Sequence, residues 1–169
     1  MKSVIQSIST ERLTLRPLNS DDAEFILALF NQPDCLKFIG DRNIRTLEDA
    51  EQYIINGPQK SYQEHGFGMM AITLPSGVVV GLCGILKRDE YDLPDIGYAI
   101  LSEYYRNGYA LESCQGILSH YKEQKQLLAL THPDNVGSKN VLLKLGFQFH
   151  KEILDNKNLP VTHCFLLER

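Results

Sequence analysis

A glycine-containing turn between a strand-like run and a helix-like run is the feature that most constrains how this chain folds. Residues 96–101 have the pattern of a strand, residues 105–110 (Tyr-Arg-Asn-Gly-Tyr-Ala) that of a turn, and residues 111–121 that of a helix. A helix that begins in such a turn leaves its first backbone N–H groups unpaired and directs the positive end of its dipole at the turn. Gly108 lacks Cβ, so it tolerates positive φ and a close ligand. The segment therefore predicts an anion site, for which phosphate is the usual ligand.

Length and composition indicate one globular domain over residues 1–169. Of 169 residues, 43% are hydrophobic and 22% charged, and a chain of this length buries roughly 70% of the surface that it exposes when unfolded. The net charge of −4 argues against a nucleic-acid partner, because duplex binding normally requires a basic stripe. No apolar run approaches the ~18 residues that span a bilayer, and residues 1–10 lack the apolar centre of a secretory signal. We therefore expect a cytoplasmic protein with no membrane partner.

The cysteine and histidine residues do not suggest a metal centre. The four cysteines are scattered along the chain, three of them in apolar surroundings, and the five histidines show no ligand spacing with them. Buried free thiols are the expected state of such cysteines. We predict no metal site.

The rest of the chain alternates between strand-like and helical patterns. Ser20 or Asp21 is expected to cap a first helix that Pro33 stops, and Thr46 with Asp49 resembles a capping box that opens a second helix. Gly57-Pro58 interrupts or ends that helix, and Gly146 closes the last one. The predicted strands cover residues 13–18, 67–74, 78–86, 95–101, 127–130, 147–154 and 161–167.

This order predicts an α+β fold with a mixed, mostly antiparallel central sheet of about seven strands and flanking helices. The strand, helix and strand within residues 95–130 form its predicted parallel crossover. A Rossmann domain is the competing fold. It places its glycine-rich turn after the first strand, whereas the turn here lies two-thirds of the way along the chain.

The order of elements and a set of short motifs resemble the GNAT acyltransferase superfamily, and within it the branch of bacterial ribosomal-protein N-terminal (alanine/serine) acetyltransferases. The motifs lie at residues 10–18, 66–68, 96–98, 108–112, 135–138 and 144–147. Each is weakly specific alone, but together and in this order they cover nearly the whole chain. The resemblance implies a single GNAT-like domain in which a splayed pair of parallel strands holds acetyl-coenzyme A, the acetyl donor.

The resemblance also implies which residues bind that donor. The diphosphate would lie on the backbone amides of Arg106, Asn107, Gly108, Tyr109 and Ala110, and the pantetheine arm beside Ile100 and Leu101. Asn135 would bond to the arm, although Asn before a helix is also a preferred N-cap. Asn140 would face the cofactor only if the helix is rotated as the family implies. The family commonly carries Gln or Arg at the position of Tyr105 and Gly at that of Arg106, but binding by amides depends on neither side chain.

The candidate catalytic residues are Ser138 and Asp95. Many family members carry a tyrosine that protonates the leaving thiolate, and Leu142 stands at that position. Ser138 matches a serine that this branch places near the sulfur, with an ordinary first-turn serine as the other interpretation.

Asp95, at the mouth of the central strand, can accept the proton of the attacking amine directly or through water, as can Glu90 or Asp92. The alternative interpretation is that these acidic residues only keep a loop solvated. A backbone N–H near Ile100 is the expected oxyanion donor. Tyr98, Tyr104 and Tyr109 are interpreted as packing residues.

The resemblance predicts an N-acetyltransferase that acts on a primary amine, preferably the α-amine of a protein or peptide such as a ribosomal protein, by direct attack in a ternary complex. A small-molecule amine is an alternative acceptor. A non-catalytic acyl-coenzyme A sensor and a nucleotide-binding module are alternative functions. Monomer and homodimer remain equally open.

Overall fold

An eight-stranded sheet runs through the protein. The computed structural model describes residues 5–156 and 159–169. The strands are β1 (Ile8–Ser9), β2 (Thr14–Pro17), β3 (Met69–Thr73), β4 (Val79–Leu86), β5 (Asp95–Ile100), β6 (Gln126–Thr131), β7 (Gln148–Asn156) and β8 (Leu159–Glu168). Their order is β1-β2-β3-β4-β5-β6-β8-β7, with β5 and β6 parallel and the other neighbours antiparallel.

Helices cover both faces of this sheet. They are α1 (Ala23–Asn31), α2 (Pro33–Phe38), α3 (Leu47–Ile54), α4 (Lys60–His65), α5 (Tyr109–His120) and α6 (Val136–Leu145). A π-helical turn at Ile55–Gln59 joins α3 to α4, and short 3-10 turns lie at Ser20–Asp22 and Ser102–Tyr104. None of the helices in the described part of the chain is long and apolar enough to cross a membrane.

Alternating side chains of β3 divide the interior into two cores. Met70 and Ile72 join the core that contains Ile117 of α5, whereas Ala71 belongs to the core that contains Ile26 of α1. Successive side chains of a strand point to opposite faces, so a central strand covered on both sides is apolar throughout. The sheet therefore forms a buried wall between two helical layers, and any opening in it connects them.

The α+β class and the parallel crossover between β5 and β6 are confirmed. The capping box is confirmed as well: Thr46 Oγ1 accepts from Asp49 N, and Asp49 Oδ2 accepts from Thr46 N, both at 3.1 Å. The four cysteines are buried free thiols, as expected.

The predicted cap of the first helix was wrong. Asn19, not Ser20 or Asp21, is the first cap: its Oδ1 accepts from Asp21 N at 2.9 Å. Helix α1 ends before Pro33, as predicted, and Pro33 also begins α2, because proline lacks only an N–H that the first helical position does not use.

The sheet has eight strands where about seven were predicted. The unpredicted strand is β1. It is two residues long and is a strand because it pairs with β2. Pro58 lies inside the π-helical turn and α4 continues beyond it. The segment between the predicted strands 147–154 and 161–167 falls partly outside the described residues, which omit 157 and 158.

Candidate active site

The sheet opens between its two parallel strands. In the described structure β5 and β6 align at a single position, Asp95 opposite Leu128, where Leu128 N donates to Pro94 O at 2.9 Å. On their other sides β5 stays paired with β4 as far as Ile100, and β6 stays paired with β8 along its length. The gap therefore lies at the carboxyl ends of β5 and β6, where open α/β sheets place their ligands.

Two cavities meet at this gap. One, of ≈ 540 Å³, is bordered by the turn before α5 and the start of α6. The other, of ≈ 470 Å³, is bordered by α3, α4 and the segment after β4. Tyr98, Thr131, His132 and Ser138 border both. We call them the turn cavity and the outer cavity; a molecule in one can reach a molecule in the other through the gap.

The turn at residues 105–110 presents backbone donors to the turn cavity. The first backbone bond of α5 runs from Glu112 N to Gly108 O at 3.1 Å, so the N–H groups of Tyr109, Ala110 and Leu111 precede the helical ladder. Arg106 and Gly108 both have left-handed backbones, with φ of 64° and 78°. Left-handed residues in such a turn gather successive N–H groups into a concave anion site.

The Asn107 side chain helps to shape this turn. Its Nδ2 donates to Tyr104 O at 3.0 Å and to Tyr105 O at 3.3 Å. Both carbonyls are therefore engaged by a donor within the turn. The left-handed backbone at Arg106 also explains why the family commonly has glycine there, since a side chain in that conformation costs roughly 1–2 kcal/mol.

The edge of β5 supplies further backbone groups. Leu101 N donates to Val80 O at 2.9 Å, which places the backbone of Leu101 on the β4 side. Since backbone groups alternate between the two edges of a strand, Ile100 and Tyr98 face the gap. Gln32 bonds there, with Nε2 donating to Ile100 O at 2.8 Å and Oε1 accepting from Ser102 N at 2.9 Å. Ile100 thus borders the turn cavity, whereas Leu101 turns its N–H away from it.

Ser138 lies in the first turn of α6 with its hydroxyl at the gap. Asn135 caps the helix through Oδ1, which accepts from Ser138 N at 3.1 Å, and borders the turn cavity together with Asn140. The Tyr98 hydroxyl lies 2.7 Å from Ser138 Oγ and 3.0 Å from Ser138 O. Burial raises the pKa of Tyr98 well above its ordinary value, so its hydroxyl stays neutral and remains a donor. Tyr98 is therefore a polar partner of Ser138 rather than a packing residue alone.

Asp95 borders the outer cavity and is only 2% exposed. Arg88 Nε donates to Asp95 Oδ1 at 3.0 Å. Desolvation raises the pKa of Asp95, with Arg88 acting in the opposite direction. Glu90 and Asp92 are exposed, and neither is among the described residues that border the two cavities.

Leu142, at the position of the family tyrosine, is 1% exposed and packs into the core while bordering the outer cavity. Leu142 supplies no hydroxyl, but the hydroxyl of Tyr98 on β5 contacts Ser138 of the same helix, α6. Sequence reasoning missed three further contributors, Tyr98 as a polar group, Gln32 and His132. His132 packs on Phe38 at 5.3 Å, and its Nδ1 accepts from Asp134 N at 3.0 Å. The sequence feature that could have identified His132 is its position directly after the buried strand β6.

Comparison with known proteins identifies this arrangement. Residues 12–148 match the acetyltransferase (GNAT) domain family. The chain belongs to the GNAT acetyltransferases. A curated relative, the uncharacterized N-acetyltransferase YoaA of Bacillus subtilis (strain 168), is 28% identical over 145 residues, which cover 83% of this chain and 82% of the relative. The protein is thus an N-acetyltransferase, and its donor is acetyl-coenzyme A.

Solved structures of other GNAT proteins have the same fold. One is a putative ribosomal-protein-serine acetyltransferase from Vibrio cholerae, with a TM-score of 0.76 and 22% identity over 97% of this chain and 98% of that one. Another is RimL, a ribosomal L7/L12 α-N-protein acetyltransferase solved in complex with coenzyme A, with a TM-score of 0.81 and 15% identity over 96% of this chain and 98% of that one.

Proposed function

We propose that this GNAT enzyme acetylates the N-terminal α-amine of a protein or peptide by direct attack on acetyl-coenzyme A in a ternary complex. The observation that carries the proposal is the meeting of two cavities at the β5–β6 gap. The turn cavity suits the donor, because backbone N–H groups are directed into it. The outer cavity, of ≈ 470 Å³, suits an acceptor that enters from the opposite side.

The donor would be held by main-chain groups. Its diphosphate would contact the amides of residues 106–110, and its pantetheine arm would follow the edge of β5 at Ile100, near Asn135 and Asn140. At the gap, the N–H groups of Tyr98 and Ile100 would stabilise the oxyanion that forms on the thioester carbonyl. Preorganised donors of this kind are often the largest contribution to catalysis.

The acceptor amine would attack in its neutral form, and Asp95, which borders the outer cavity at the closed end of the β5–β6 pair, would accept its proton through water. With ordinary pKa values of roughly 7.7–8.0 for an α-amine and 10.4 for lysine, about a tenth of α-amine groups but less than about a thousandth of lysines are neutral at pH 7. An α-amine therefore requires only a weak base. The raised pKa of Asp95 makes it a better proton acceptor than an ordinary aspartate.

Departure of the thiolate would be assisted by Ser138. A thiol pKa of about 8.5 makes the leaving group only modestly basic, so one hydroxyl donor is sufficient. When Ser138 Oγ–H turns to the sulfur, Tyr98 can donate to Ser138 Oγ in its place, because the two oxygens lie 2.7 Å apart. The hydroxyl pair thus replaces the tyrosine that Leu142 does not provide.

Direct attack is supported by the state of Cys35, the cysteine in the lining of the turn cavity. Cys35 borders the turn cavity but is 3% exposed, and burial raises the pKa of its thiol. Its polar contact is the amide of Gln32 at 3.3 Å, which cannot act as a base. A reactive thiolate needs the opposite surroundings.

The acceptor assignment draws on the relatives. The V. cholerae protein is described as acting on a ribosomal-protein serine and RimL on the α-amine of L7/L12. The test is thiol release from acetyl-coenzyme A with ribosomal-protein N-terminal peptides, the same peptides blocked by Nα-acetylation, and a panel of polyamines, amino acids and aminoglycosides. The proposal predicts turnover only with the free α-amine peptides. Turnover confined to small amines would refute the acceptor class, and donor binding without turnover would favour the sensor.

A further inference from the structure

Arg12 contacts the turn at residues 105–110, which we call the donor turn because it would hold acetyl-coenzyme A. It does so from outside the two cavities. It lies between β1 and β2, and its Nη1 donates to Asn107 O at 2.8 Å while its Nε donates to Glu112 Oε1 at 2.6 Å. Its guanidinium also lies 5.0 Å from the centre of the Tyr109 ring. One side chain thus contacts the turn just before Gly108 and the helix one turn after it, although Arg12 and Glu112 are 100 residues apart in the chain.

The Arg12 side chain is held there by the sheet edge. Thr10 N donates to Leu13 O at 2.9 Å, closing a tight turn that contains Arg12. Thr10 Oγ1 and Arg12 N both donate to Glu112 Oε2, at 2.5 and 2.8 Å. Gly116 lets helix α5 lie close to this turn, since a Cβ there would lie 2.7 Å from Thr10 Cγ2. The position of Arg12 relative to the helix is therefore defined by several independent contacts.

The bond to Asn107 O determines the direction of the next N–H. In a planar trans peptide the carbonyl of one residue and the N–H of the following residue point in opposite directions. Since Asn107 O points outward to Arg12, Gly108 N–H points inward to the turn cavity. Glycine adopts either sign of φ, so without a partner for this carbonyl the Asn107–Gly108 peptide can rotate and turn its N–H away.

We propose that Arg12 is a positioning residue for the donor, which holds the Asn107–Gly108 peptide so that Gly108 N–H faces the diphosphate of acetyl-coenzyme A. This inference rests on the proposed placement of the diphosphate at residues 106–110. Arg12 has a second effect on the same group. Together with Thr10 it holds the Glu112 carboxylate on the outer side of α5, so that a negative charge in the first helical turn does not repel the diphosphate.

The test compares ligands with and without the diphosphate. Calorimetry gives Kd for coenzyme A and for pantetheine, which lacks the nucleotide and the diphosphate, in the wild type and in Arg12→Met, Arg12→Lys and Lys122→Met. Lys122 is exposed in the turn that follows the far end of α5, so Lys122→Met removes one positive charge away from the donor site. Thermal unfolding shows that each variant is folded.

We expect Arg12→Met to raise Kd for coenzyme A about tenfold, the effect of one lost charge-assisted contact, with Kd for pantetheine within twofold of wild type. Arg12→Lys keeps the charge but lacks the fork that contacts Glu112 and Asn107 together, so its increase should be smaller, about threefold. Lys122→Met should leave both values unchanged.

Three results would overturn the inference. An unchanged Kd for coenzyme A in Arg12→Met shows that the turn holds its shape without Arg12. An equal rise for coenzyme A and pantetheine shows a general structural role. If wild-type protein binds pantetheine as tightly as coenzyme A, the placement of the diphosphate fails as well, which separates failure of the proposed site from failure of the role of Arg12 alone.

Discussion

Replacing Gly108 with alanine isolates the contribution of the donor turn, because the chain offers a matched control. Gly108 has φ of 78°, and a Cβ there would lie 3.3 Å from Arg12 Nη2. Gly77, in the turn between β3 and β4, has φ of 90° and nothing within 4 Å of a Cβ. Both positions impose a left-handed backbone, but only Gly108 lies in the proposed diphosphate site.

The two variants should lose similar stability. A left-handed alanine costs roughly 1–2 kcal/mol, and the reduced freedom of the unfolded chain offsets about 0.4–1 kcal/mol of that cost. The net loss is about 1 kcal/mol, which in a protein of this size lowers Tm by about 2–4 °C. Differential scanning fluorimetry measures this for both variants.

Donor binding should separate the two variants. If the backbone at residue 108 relaxes, its N–H no longer faces the diphosphate, and a hydrogen bond to a charged group contributes about 1.5–3 kcal/mol. Kd for coenzyme A should therefore rise about 10- to 100-fold in Gly108→Ala and stay within twofold of wild type in Gly77→Ala. Equal Kd values for the two variants, whether both normal or both raised, would show that Gly108 N–H does not bind the diphosphate.

Three further predictions concern the gap and the sheet. Ser138→Ala should lower kcat about tenfold with Kd for coenzyme A unchanged, and Tyr98→Phe less, as measured by thiol release at saturating donor; loss of donor binding in Ser138→Ala would contradict a role in thiolate departure. Because the pKa of Asp95 is raised, kcat/KM should fall at acidic pH with a pKa above the ordinary aspartate value, as Asp95 becomes protonated. If Asp95→Asn shows the same fall at acidic pH, Asp95 is not the proton acceptor. Gly84→Ala should lower the free energy of unfolding in urea by more than about 2 kcal/mol, because the new Cβ would lie 2.2 Å from the backbone oxygen of Gly68. Wild-type stability in this variant would show that β3 and β4 move apart at little cost.

The same Asp95 affects stability with a definite sign. A carboxyl group whose pKa is higher in the folded protein binds its proton more tightly there than in the unfolded chain. The free energy of unfolding therefore falls as pH rises from the unfolded-state value through the folded-state value. Unfolding of the wild type and of Asp95→Asn across that range should differ in slope, and parallel curves would show that the pKa is not raised.

Local chemistry made part of this fold predictable from sequence. The capping box of Thr46 and Asp49 involves residues three apart, and the turn at Gly108 leads directly into helix α5. The expected oxyanion donor near Ile100 rests on the family resemblance and stays a prediction. Each of these features depends on residues that are close in the chain or on a motif that occurs as a unit.

The contacts that complete the candidate site lie between distant residues. Tyr98 meets Ser138 across 40 positions and Gln32 meets Ile100 across 68. No periodicity links such residues, since their approach depends on how helices pack on a sheet that is already formed. Tyr98 therefore had the pattern of a packing residue, and Gln32 that of an ordinary residue before proline.

The most direct test of the account is a crystal structure of the protein with coenzyme A bound. The diphosphate oxygens should lie about 2.7–3.2 Å from the backbone nitrogens of the turn around Gly108, with the sulfur at the β5–β6 gap beside Ser138. A diphosphate bound elsewhere, or a sulfur outside the gap, would contradict it.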